Sequence, residues 1–86
     1  MSQRHDPSWR VLSSHESSDR IYCVDFFTRP DGTYGFEEFR RDPEDMGGWT
    51  PVTYYAALSY PSLAEAISAA AADITWYRPT PLVSGP

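Results

Sequence analysis

The sequence predicts an α+β domain: a three- or four-stranded antiparallel meander with one C-terminal helix packed on one face. Three observations predict it. Two runs rich in aromatic and β-branched residues, 21–27 and 34–39, flank Arg29-Pro30-Asp31-Gly32. There Pro30 presets the first corner of a turn and Gly32 tolerates a left-handed φ, as a hairpin requires. Downstream, Ser62-Leu63-Ala64-Glu65 has the form of a capping box opening a helix. Finally, 86 residues without an internal repeat leave room for one modest core, so residues 1–86 are expected to form a single domain.

In chain order, residues 1–8 and 80–86 lack periodicity and are expected to be loose tails around an ordered core of about 9–78. Trp9-Arg10-Val11-Leu12 suits a short first strand ending near Ser14, and residues 13–19, mostly Ser, Asp and Glu, have the composition of a loop. In the second strand Tyr22, Val24 and Phe26 point one way and Ile21, Cys23, Asp25 and Phe27 the other. In the third, Tyr34, Phe36, Glu38 and Arg40 alternate with Gly35, Glu37, Phe39 and Arg41. Asp25, a charge in an apolar strand, suits either an arginine partner across the sheet or a guard on an edge. Residues 41–48 carry a proline, two glycines and several acids and read as a surface loop. Residues 49–56 read as a fourth strand, which Pro51 either places at an edge or leaves to be entered after the proline. Leu63, Ala66, Ile67, Ala70 and Ile74 then form one apolar stripe at helical spacing. Six alanines between Ala64 and Ala72 make this helix thin, Trp76 and Tyr77 finish it, and Pro79 stops it.

An antiparallel sheet with one wet face alternates apolar and polar residues; this hairpin is apolar on both. Four strands span about 20 Å at their usual spacing, whereas one helix covers about 10 Å. One face is therefore expected to stay bare, carrying either Tyr22, Val24, Phe26, Tyr34 and Phe36 or Ile21, Cys23, Phe27 and Phe39. Such a patch marks a contact surface, most simply that of a homodimer, or of a complex with another protein. Tyr22, Phe26, Tyr34, Phe36, Trp49 and Trp76 are the interface or ligand candidates.

Composition narrows the chemistry. Net charge is −5, with seven arginines and no lysine, which disfavours nucleic acid and anionic membranes as partners. Cys23 is the single cysteine, so neither an intrachain disulfide nor a multi-cysteine zinc site is available. His5 and His15 lack metal-ligand spacing, so no metal or other cofactor is expected. No nucleophile–base set appears, no catalytic residue is assigned, and no enzyme is expected. No apolar run approaches the roughly 20 residues of a membrane span and no leader is evident, so a cytoplasmic protein is expected.

Residues 21–26 and 34–39 resemble the two signature strands of the RNA-recognition motif, whose aromatics stack on bases. In that family a helix and a strand separate the signatures; here only a turn does, and Gly32-Thr33 stands where a basic residue belongs. Cross-strand aromatic pairing accounts for them better. Asp31-Gly32-Thr33-Tyr34-Gly35-Phe36, a further strand, and Tyr60-Pro61-Ser62 leading into an alanine-rich helix resemble the YegP-like small proteins across residues 20–75. That resemblance implies an antiparallel sheet packed by a helix, often paired, and no activity; the acidic Gly-Gly loop and Pro51 depart from it. More distantly, the chain resembles strand–strand–strand–helix antitoxin modules without their DNA-binding part. The expected function is a non-enzymatic interaction module self-associating through its aromatic sheet face. Two alternatives stand beside it: a small apolar or aromatic ligand on that face or in a cleft under Trp49 and Trp76, and single-stranded RNA on the sheet aromatics.

Overall fold

The structure, a computed structural model, describes residues 7–41 and 48–79. The tail residues 1–6 and 80–86, with His5, and the acidic loop residues 42–47 lie outside the described residues. Strands β1 (Arg10–Glu16), β2 (Tyr22–Thr28), β3 (Tyr34–Arg41) and β4 (Trp49–Pro51) form one antiparallel sheet in the order β1-β2-β3-β4, and helix α1 (Leu63–Asp73) packs on one face. This is the expected α+β meander.

The β2–β3 turn forms as its residues dictate. Gly32 N–H donates to the Arg29 carbonyl (3.0 Å), and Gly32 takes φ 88°. Asp31 accepts from the Thr33 N–H (2.9 Å) and hydroxyl (2.7 Å), an interaction that holds its carboxyl below the usual range. Register then sets Phe26 opposite Phe36, Val24 opposite Glu38 and Thr28 opposite Tyr34. Those residues face α1, whose Ala66 and Ala70, followed by Ile74, are buried against Val24, Phe26 and Phe36, with Leu63 and Ile67 alongside. The small alanines let the helix axis approach the aromatic layer. Ser62 caps the helix by accepting from Glu65 N–H (3.2 Å). The Glu65 carboxylate meets the Ser62 hydroxyl (3.4 Å), so the return contact of the box goes to the side chain.

Three boundaries differ from expectation. First, β1 runs to Glu16, through serines expected to be loop, because Ser13, Ser14, His15 and Glu16 pair with Phe26, Asp25, Val24 and Cys23; an irregularity lies between Val11 and Ser13. Second, β4 stops at Pro51 rather than Ala56. Tyr54 takes φ 64° and the chain turns into a 3-10 helix, Tyr55–Ala57. That turn is fastened to β3 by the buried Glu37 carboxylate, which accepts from Tyr55 N–H and Ala56 N–H (both 3.1 Å). Third, α1 ends at Asp73, and Trp76 and Tyr77 lie in the turn after it.

The bare face is overturned. Opposite α1, Cys23 is 2% exposed and Phe27 and Phe39 are 0% exposed. Among the described residues Trp9 supplies part of the cover, stacked on Phe27 at 4.8 Å and 13°. The Arg29 guanidinium lies 4.5 Å from the Trp9 ring centre and 5.0 Å from that of Phe27. Gly35 makes this layering possible, since a Cβ there would stand 2.8 Å from Phe27 Cε1 and 3.0 Å from the Arg29 guanidinium. Asp25 is likewise buried. On a central strand it guards no edge; its described hydrogen bonds come from the Ser14 hydroxyl (2.7 Å) and the Cys23 thiol (3.3 Å).

Gly35→Ala should destabilise the fold by about 1–3 kcal/mol, because the buried Phe27 ring has no room to retreat. Urea unfolding of the variant beside the parent checks this; an unchanged midpoint would contradict the packing described.

Candidate functional site

Where β1 passes into β2, the turn is built from side-chain hydrogen bonds. Ser17 N–H donates to the Tyr22 carbonyl (2.9 Å), and the Ser17 hydroxyl accepts from Tyr22 N–H (3.0 Å). Arg20 takes φ 62°, the left-handed region, to close it. Asp19 accepts from the Ser17 hydroxyl (2.6 Å) and Ile21 N–H (3.0 Å), and these two bonds, the hydroxyl foremost, hold its carboxyl below the ordinary value.

The chain leaving α1 meets this turn. Tyr77 N–H donates to the Ile74 carbonyl (3.1 Å), a tight bend that swings both ring side chains back onto the sheet. Trp76 donates its indole N–H to the buried Glu38 carboxylate at 2.7 Å, which fixes the ring. Tyr22 lies beside it, ring centres 6.4 Å apart and 29° from parallel; Tyr77 stands edge-on to Trp76 at 6.2 Å and 80°. His15, on the α1 face of β1, packs against Phe26 (5.8 Å) and Tyr77 (5.6 Å). Between the turn and the bend lies a groove of about 430 Å³, walled by His15, Tyr22, Trp76 and Tyr77 and rimmed by Glu16, Ser17, Ser18, Asp19 and Arg78.

Two of the six sequence candidates, Tyr22 and Trp76, thus meet at one site. The other four do not. Phe26 and Phe36 are fully buried beneath α1. Tyr34 exchanges two backbone hydrogen bonds with Tyr60 (2.8 Å each), and its partly buried ring packs against the core. Trp49 pairs with Arg41, whose guanidinium lies 4.5 Å from its ring centre. Strand alternation puts Trp49 on the face away from α1 and Trp76, so no cleft lies under both tryptophans. A second groove of about 370 Å³ is lined by Arg40, Thr50, Pro51 and Val52 and holds no aromatic residue. Sequence reasoning missed His15, Tyr77 and Arg78. The signal for His15 was its place in an alternating run, had that run been extended past Ser14.

Among the described residues, no group of three or more His, Cys, Asp or Glu side chains could hold a metal ion, and no helix is long and apolar enough to cross a membrane. No family model, curated protein or solved structure matches this chain, so the reading of the groove rests on its own geometry.

Burial raises the Tyr77 phenol above its ordinary value, and burial followed by the Asp73 and Tyr55 charges raises that of Tyr60. The folded state therefore favours the neutral phenols. Their contribution to stability is full below the ordinary tyrosine value of 10.0 and is lost as pH climbs from there through the raised values. Alkaline titration followed by phenolate absorbance should show a component ionising above the ordinary tyrosine value of 10.0, with the urea midpoint falling in the same pH window. Absence of that late component would contradict it.

Proposed function

We propose that this protein is a non-enzymatic binding module that takes a small, flat, partly apolar molecule in the groove between Tyr22 and Arg78. The observation that carries this reading is the convergence of Tyr22, Trp76, Tyr77 and His15 around an open volume of about 430 Å³, while Phe26, Phe27, Phe36 and Phe39 of the sheet are packed inside the chain. Ligand sites have this character: apolar and aromatic walls with a few placed polar groups, in volumes of about 300–1,000 Å³. Trp76 is pre-positioned by Glu38, so binding costs little ordering of that side chain.

Self-association is the second reading, and it needs a different surface from the one first expected. Phe26, Phe36, Phe27 and Phe39 are covered within the single chain. Among the described residues, the large apolar side chains that remain exposed are Val11 and Leu12 on β1, and Val52, Tyr54 and Leu58 beyond β4. Stacking of single-stranded RNA on the sheet is not favoured, since Phe26 and Phe36 lie under α1.

A thermal-shift and calorimetric screen of small aromatic compounds tests the groove. A binder at one hundred times its Kd should add about 2.7 kcal/mol of stability, and Tyr22→Ser should weaken it at least about tenfold, the effect of losing an aromatic contact worth about 1.4 kcal/mol. If no compound raises the melting temperature while sedimentation equilibrium shows a persistent dimer, self-association replaces ligand binding.

A further inference from the structure

We propose that the ligand of this groove is a cation, an ammonium or guanidinium group carried on or beside an aromatic ring; the inference rests on the groove being a binding site. Three features of the site converge on it. At Trp76 the wall offers a π face rather than a donor: its indole N–H is already spent on Glu38 at 2.7 Å, so a ligand meets the ring face of Trp76 and not its polar edge. Tryptophan presents the strongest cation-attracting face of the aromatic side chains, and a carboxylate hydrogen-bonded to the indole N–H pushes electron density into that ring. Secondly, the rim carries two carboxylates, Glu16 and Asp19, against one arginine, Arg78. Asp19 is held ionised by the Ser17 hydroxyl and Ile21 N–H, both on one of its oxygens, Oδ1. Thirdly, the whole chain carries −5, so its field gathers cations at an open groove and repels anions.

The near-parallel Tyr22 and Trp76 rings are 6.4 Å apart, too close for a third ring to slip between them. A ligand therefore lies along the wall with its charge toward the Glu16 and Asp19 rim. Arg78, on the same rim, opposes such a ligand and limits its affinity.

The test uses three probes that share a phenethyl skeleton on the intact protein: phenethylammonium, 2-phenylethanol and 3-phenylpropionate, followed by calorimetry at low and moderate salt. The cation should bind about threefold to tenfold tighter than the neutral alcohol, with the anion weakest, and its advantage should shrink as salt rises. Asp19→Asn should weaken the cation by a larger factor than the alcohol, whereas Arg78→Ala should tighten the cation. Equal or tighter binding of the alcohol or the anion would overturn the cation assignment and leave the groove reading standing. Absence of binding by all three would overturn both.

Discussion

A hairpin that is apolar on both faces must be covered on both, and this short chain does most of it with its own few elements. That constraint explains features that look unrelated. Alanine dominates α1 because the α1 face is already filled by Phe26 and Phe36. Glycine stands at position 35 because Phe27 and Arg29 need the space above it. Trp9, just before β1, folds back onto Phe27. Trp76 and Tyr77, past the end of the helix, lay their rings back on the sheet, against Glu38 and Phe26. The groove lies where this last covering element meets the first turn.

Covering a sheet with so few residues also brings carboxylates inside, and the structure supplies each with donors. Glu38 receives the Trp76 indole, while Asp25 receives Ser14 and Cys23. Glu37 and Arg29 work as a pair at opposite ends of the 3-10 turn. The carboxylate takes the N–H groups of Tyr55 and Ala56, and the guanidinium donates to the carbonyls of Ala56 (2.6 Å) and Leu58 (3.3 Å). Helix ends leave N–H groups unpaired at one end and carbonyls at the other, and these two charges satisfy them. Arg29 also donates to Ser59 (3.2 Å), which ties the hairpin turn to the connection leading into α1.

The fold was legible where local chemistry and periodicity agreed. The Arg29–Gly32 turn, the Ser62 cap and the Leu63–Ile74 stripe each follow from short-range rules, and all three hold. What sequence did not disclose was set by tertiary contact. Ser13 and Ser14 have loop composition, yet they extend β1 because β2 offers them a ladder and Asp25 accepts a hydroxyl. Tyr54 and Tyr55 favour strand, yet the Glu37 carboxylate draws them into a 3-10 turn. The second face was misjudged because a width argument counts only helices, and Trp9 with Arg29 covers Phe27 without one. Of the groove, Tyr22 and Trp76 were legible as large aromatics. Their meeting with His15 and Tyr77 depends on where α1 stops, which alanine propensity alone does not fix.

The two borders of the sheet show how an aromatic-rich chain avoids templating its own kind. On one side β4 is three residues long, and the alternation of its bonds to β3 turns the missing N–H of Pro51 outward, where a further strand would look for a donor. On the other side the irregularity between Val11 and Ser13 breaks the line of outward groups along β1, leaving no unbroken run longer than the four residues from Ser13 to Glu16. Neither border offers the long, flat run of donors and acceptors on which cross-β growth begins. Although the strands are rich in phenylalanine and tyrosine, the native molecule is a poor seed, and fibre formation would first require β1 to straighten or the hairpin to open.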